Sequence, residues 1–197
     1  IRESNYRSPN GEEGYPGNLE VSVVYTLTNN NELMVEFSAT SDMPTPVNLT
    51  NHNYWNLGGV GSGNILNHEL TIVANQYLDV NNNLIPTGKL LDVTGTPFDF
   101  TTPKTVGEHI QSIPKIEGLP QGYDHCFVLP DESKNLKFAA RVKDSVSGRS
   151  MEIYTTQPGI QFYSGNFLDG KPESGGYKQY DGFCLETQHF PDARNEP

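Results

Sequence analysis

From residue 19 onward the chain alternates apolar and polar positions. Leu19, Val21, Val23, Tyr25 and Leu27 are interleaved with Glu20, Ser22, Thr26 and Thr28. A period of two puts the first set on one face of a strand and the second on the other. Leu33, Val35, Phe37 and Ala39 repeat the pattern against Glu32, Glu36 and Ser38. Asn29-Asn30-Asn31 lies between the two runs. Asn tolerates positive φ, so the runs predict a hairpin. Further strands are predicted over 69–74, 124–129, 136–143, 150–157, 159–164 and 180–188. Short extended pieces fill 76–86 around a turn at Asn81-Asn82-Asn83. Val47, Leu49 and Thr50 suggest one more strand, which enters the segment carrying His52 and ends at Gly58-Gly59.

Two stretches read differently. Residues 1–18 are polar and glycine-rich and predict a loop. Thr102 as a cap, with Pro103 at the first helical position, predicts the only helix, a short one over 104–110. Nothing repeats at a fixed period, and no linker divides the chain. The pattern predicts one all-β domain over residues 1–197, an antiparallel β-sandwich with little helix.

Composition narrows the function classes. The formal charge is -11 over 197 residues. That argues against nucleic acid and against anionic membrane surfaces as partners. No run of about 18 apolar residues exists, so no membrane-spanning helix is expected. Cys126 and Cys184 sit in apolar, strand-like runs and are expected to be buried free thiols rather than a disulfide framework. No basic-then-apolar N-terminal segment is visible, and the free thiols point to the cytoplasm as the expected location. The chain starts without Met and stops at Asn195-Glu196-Pro197, which suggests a piece of a longer protein.

Several motifs fail on their spacing. Asp79-Val80-Asn81-Asn82-Asn83 opens like a calcium loop, but Leu84 and Leu90 stand where Gly and Glu are needed. Gly59-Val60-Gly61-Ser62-Gly63 lacks the third glycine of a dinucleotide cradle, and no helix follows it. The five histidines show no close pair at ligand spacing, so no metal and no cofactor is expected. Asn48-Leu49-Thr50 is a glycosylation sequon in a predicted strand and is expected to go unused.

Four segments carry candidate chemistry. Residues 48–57 hold His52, Tyr54, Trp55 and four amide side chains. An imidazole can give or take a proton near neutral pH, and the two aromatic rings suit the face of a sugar. Asp124 opens a predicted strand after Gly122, where its carboxylate could accept hydrogen bonds from hydroxyls. Gln161 follows the Pro158-Gly159 turn and could meet a polyol through both ends of its amide. In Asp181–Gln188, alternation puts Cys184, Glu186 and Gln188 on one face. A carboxylate among hydrophobic strand residues is desolvated, which makes it a stronger base.

Read together, these segments resemble a known family. Asn-His-x-Tyr-Trp-Asn-Leu at 51–57, Gly-Tyr-Asp-His at 122–125, Thr-Gln-Pro-Gly-Ile-Gln-Phe-Tyr-Ser-Gly-Asn at 156–166 and Cys-Leu-Glu-Thr-Gln at 184–188 resemble aldose 1-epimerase, also called galactose mutarotase. Gly14–Leu19 and Leu84–Gly88 look like the same family, and the order is kept from about residue 11 to the end. The resemblance implies a large β-sandwich and the interconversion of α and β anomers of hexoses such as galactose and glucose. It implies Glu186 as general base, His52 as the group that protonates the ring oxygen, and Asp124 and Gln161 as holders of sugar hydroxyls. The family also uses an Arg and a second His on an N-terminal portion, and no residue here matches them. His68, His109 and His189 lie outside any matching motif. Two rival readings use the same residues. A glycoside hydrolase would employ Asp124 and Glu186 as its carboxyl pair. A non-catalytic sugar-binding module would need Tyr54, Trp55 and Gln161 alone.

Overall fold

The computed structural model describes residues 1–130 and 134–195; the end at Glu196-Pro197 lies outside them. The chain forms two compact units, Ile1–Asn51 and His52–Pro197.

The first unit is a three-stranded antiparallel sheet of β1 (Arg2–Ser8), β2 (Leu19–Leu27) and β3 (Leu33–Ser41), in that order. The predicted hairpin is β2–β3. The predicted loop over 1–18 is corrected by β1, whose seven residues all pair with β2. β1 gives no hydrophobic alternation because it is polar on both faces. It is held by backbone bonds and by cross-strand side chains. Arg7 lies opposite Glu20 and pairs with it at 3.1 Å, and Ser22 bonds Glu3 at 3.0 Å.

The second unit contains two antiparallel sheets. β4 (Glu69–Ile72), β7 (Lys104–Thr105), β9 (Lys137–Lys143) and β10 (Ser150–Thr155) form one, in the order β10-β9-β4-β7. The other joins β5 (Gln76–Val80), β6 (Pro86–Asp92), β8 (Asp124–Val128), β11 (Gly159–Tyr163) and β12 (Cys184–Gln188), in the order β12-β11-β8-β5-β6. One core lies between them. Leu70, Ile72, Ala140 and Val142 come from the first sheet, and Phe127, Ile160, Phe162 and Leu185 from the second. This unit is the all-β sandwich the alternation predicts. Its apolar payload is large, at roughly 1.5–3 kcal/mol for each fully buried aliphatic or aromatic side chain.

The helix predicted over 104–110 is absent. Lys104 and Thr105 pair with Leu70 and Glu69, and the N–H groups of Val106 and Gly107 go to the carbonyls of His68 and Leu66. These amides find partners across the sheet rather than four residues back, and only Ile110–Ser112 forms a 3-10 turn. The strand predicted over 180–188 shortens to Cys184–Gln188, because Tyr180 takes a positive φ of 68°. Residues 47–51 do not form the predicted strand.

Candidate active site

The site is built on the register of β8, β11 and β12. Gln161 stands opposite Cys126 on one side and Glu186 on the other. One row along, Tyr163 stands opposite Asp124 and Cys184. The intervening residues Phe127, Ile160, Phe162 and Leu185 point the other way, into the core. The alternation that buries the core thus also gathers the polar side chains on the opposite face.

His52 arrives from a different segment. The backbone of Trp55 exchanges both its hydrogen bonds with Phe183, at 2.8 and 2.9 Å, as an isolated antiparallel bridge at the start of β12. In antiparallel pairing, three residues back from Trp55 lies opposite three residues on from Phe183. Those positions are His52 and Glu186, and His52 Nε2 lies 3.3 Å from Glu186 Oε1. The other ring nitrogen, Nδ1, lies 3.4 Å from the sulfur of Cys184.

Residues 56–58 fix this segment further. Asn56 donates to the carbonyls of Gly63 and Asp181 and accepts from Gly58 N and Ser62 Oγ. Leu57 N–H donates to His68 Nε2 at 3.0 Å, and its carbonyl accepts from Arg149 at 2.8 Å. Asn56 and His68 are therefore structural anchors. Burial holds the imidazole of His68 below the usual range, that is, toward its neutral form.

All four sequence-predicted residues, His52, Asp124, Gln161 and Glu186, line one cavity of about 260 Å³. Leu78, Val80, Leu84, Pro86, Cys126, Gln188 and Pro191 complete the lining. Alternation from Asp124 and Glu186 points to Cys126 and Gln188, whereas the apolar lining residues carry no chemical signal in the sequence. Neither Tyr54 nor Trp55 lines the cavity. Trp55 packs against the core instead, and Tyr54 sits tilted beside His52 and edge-on to Tyr163, with ring centres 5.3 and 6.0 Å away.

The electrostatics follow from burial. Glu186 is 7% exposed, whereas the His52 side chain is 51% exposed. Loss of water pushes the Glu186 carboxyl up; the nearby Asp124 adds to the rise and His52 opposes it. Asp124 is raised for the same first reason, and the hydrogen bond from Gln161 counteracts it. That bond runs from Gln161 Nε2 to Asp124 Oδ1 at 2.7 Å. Gln161 Oε1 is buried without a partner, so one end of the amide is engaged and the other is an open acceptor. Both cysteines are buried free thiols, as expected; burial pushes Cys126 up to about 12 and Cys184 higher still. Among the described residues the one cluster that could hold a metal ion is His52, Cys184 and Glu186. Chain spacing hid it, because its members meet across a strand pair.

The arrangement can move protons. A desolvated carboxylate, an imidazole in contact with it and hydrogen-bonding groups on the same face suit general acid–base work on a polyol.

Residues 3–197 match the aldose 1-epimerase family. The chain is 54% identical to the galactose mutarotase of Rattus norvegicus over 193 residues, which are 96% of this chain and 54% of that protein. It is 41% identical to the aldose 1-epimerase of Escherichia coli (strain K12) over 96% of this chain and 55% of that one. The crystal structure of galactose 1-epimerase from Lactobacillus acidophilus NCFM superposes with a TM-score of 0.84 at 30% identity, covering 96% of this chain and 54% of that chain. The chain thus spans about half the length of the relatives it matches. The names of these relatives give no support to a hydrolase or a bare binding module. With the fold, the motif order and the family match over residues 3–197 in agreement, this chain belongs to the aldose 1-epimerase family.

Proposed function

We propose that the cavity between His52 and Glu186 interconverts the α and β anomers of an aldohexose, with D-galactose the first substrate to try. The observation that carries this is the 3.3 Å contact between Nε2 of His52 and the buried carboxylate of Glu186, at the rim of a cavity that also holds Asp124 and Gln161. Glu186 takes the proton of the anomeric hydroxyl while His52, protonated, gives one to the ring oxygen. The bond between the anomeric carbon and the ring oxygen breaks, leaving an aldehyde and a free hydroxyl. Rotation about the first carbon–carbon bond presents the other face of the carbonyl. Closure then runs the transfers backwards: the hydroxyl returns its proton to His52, and the new anomeric oxygen takes one from Glu186. Both groups end as they began. Each positioned transfer contributes about 10²–10⁴-fold.

Asp124 and Gln161 hold the sugar. The unpartnered Oε1 of Gln161 accepts a hydroxyl proton, and Asp124 accepts another through the carboxylate oxygen that Gln161 leaves free. A small-molecule sugar is thus the proposed partner. The charge of -11 speaks against nucleic acid, and no helix among the described residues is long and apolar enough to cross a membrane. Two buried free thiols fit a reducing compartment such as the cytoplasm. The test is magnetisation exchange by NMR between the α and β anomeric protons of D-galactose at equilibrium. Exchange faster than in buffer alone is expected, with none for the methyl glycoside, which has no free anomeric hydroxyl. Exchange at the buffer rate would refute the proposal.

A further inference from the structure

Cys184 is the side chain in contact with the proton-transfer pair that the reaction leaves without a task. Its sulfur lies 3.4 Å from Nδ1 of His52, while Nε2 of the same ring lies 3.3 Å from Glu186. One ligating atom from each of the three residues falls within 4.8 Å of the other two. Thiolate, imidazole and carboxylate are the donors that Zn²⁺ takes, at about 2.3, 2.0–2.1 and 2.0–2.2 Å. In a tetrahedron those bond lengths set neighbouring ligand atoms about 3.4–3.6 Å apart. The Sγ–Nδ1 and Nε2–Oε1 separations are each close to this, on different ring nitrogens, and with one atom from each residue the three lie within 4.8 Å.

We propose that His52, Cys184 and Glu186 form a binding site for a thiophilic divalent cation, Zn²⁺ being the type case, and that the bound ion closes the cavity to sugar. The two short contacts use different ring nitrogens, so one nitrogen must serve the metal while the ring adjusts. His52 is the member free to do so, since half of its side chain faces solvent while Cys184 and Glu186 are buried. Movement of that ring also opens the way to the sulfur. On binding, the S–H bond breaks, a sulfur–metal bond forms and the proton leaves to solvent; no electron changes hands. Thiolate and carboxylate together match the charge of the cation, and the nearby Asp124 carboxylate adds further negative charge that favours the ion. Three protein ligands leave a fourth position for water. The ion then occupies both the base and the acid of the proposed reaction. The binding itself does not depend on that reaction; only the blocking does.

Co²⁺ is the probe, because a cobalt–thiolate bond gives a charge-transfer band in the near ultraviolet. Titration of the purified chain with Co²⁺ is expected to develop this band to one equivalent, and Zn²⁺ is expected to displace it. The band should vanish in Cys184→Ser and persist in Cys126→Ser. His52→Gln and Glu186→Gln should each weaken binding by at least about tenfold. Glu186→Gln, nearly isosteric, keeps the test decisive if Cys184→Ser fails to fold. No band in the wild type, or a band that survives Cys184→Ser, overturns the site. A band that depends on all three residues but is indifferent to saturating D-galactose upholds the site and overturns the blocking.

Discussion

His125 lies beside Asp124 in the Gly-Tyr-Asp-His motif, yet its side chain turns to the opposite face of β8. Its ring packs 4.5 Å from Phe98 and 5.9 Å from Tyr77, centre to centre, and Nδ1 accepts the Asp124 N–H at 3.2 Å. A cation there would lose its water and gain only the distant charge of Asp79, so burial pushes the imidazole down from 6.5 to about 4. The unfolded chain therefore binds a proton between these two values that the folded chain refuses. Stability present above pH 6.5 must drain away as the pH falls toward 4. The full shift from 6.5 to about 4 corresponds to about 3.5 kcal/mol, of which about 3 kcal/mol is lost by pH 4. Urea unfolding followed by the fluorescence of Trp55, the single tryptophan, measures this within the second unit. Other groups titrate in the same window, so the comparison is with His125→Phe, which fills the space but cannot charge. Any constant cost of that substitution cancels, because only the change with pH is compared. From pH 7 to pH 4 the wild type is expected to lose about 3 kcal/mol more than the variant. Equal losses in the two proteins would refute the placement of His125 among the aromatic rings.

Three other outcomes follow from the packing. Gly122 has φ 154°, and a Cβ there would overlap the side chain of Asn166, which bonds the Tyr123 carbonyl at 2.9 Å and accepts from Ser164; Gly122→Ala should cost about 1–3 kcal/mol in urea unfolding, by freeing buried polar groups. Phe162 is fully buried between the two sheets, so Phe162→Ala should cost about 3–5 kcal/mol by the same assay, and a loss under 1 kcal/mol would contradict the packing. Burial raises the Glu186 carboxyl, so the stability it contributes is present at low pH and lost as the pH rises through its folded value. Glu186→Gln should therefore gain stability relative to the wild type with increasing pH, and a variant that instead loses stability relative to the wild type as the pH rises would reverse the reasoning.

Much of this fold was legible because most of its strands carry one apolar face. β2 and β3 show it plainly, and so do the strands that gather the site. Where the physical cause was different, the reading failed. β1 is polar throughout and is held by its partner strand, so it leaves no periodic trace. Thr102-Pro103 is an acceptable helix start, but the amides that follow found carbonyls across a sheet edge. His52, Asp124, Gln161 and Glu186 were each visible as polar residues in unusual settings; strand register brings Asp124, Gln161 and Glu186 to one cavity, and the Trp55–Phe183 bridge brings His52 to it. The contact of Cys184 with His52 was not visible, because it depends on the bridge between Trp55 and Phe183. Trp55 itself showed the limit of composition: an aromatic ring suited to a sugar is equally suited to a core.

The central claim is that Glu186, paired with His52, is the base that opens the sugar ring. Polarimetry on freshly dissolved α-D-galactose tests it, with the wild-type chain and Glu186→Gln measured side by side. The account predicts that the wild type hastens the change in rotation and that Glu186→Gln, though folded, falls to the rate of buffer. If the variant matches the wild type, or neither exceeds buffer, the assignment of the reaction to this pair is wrong.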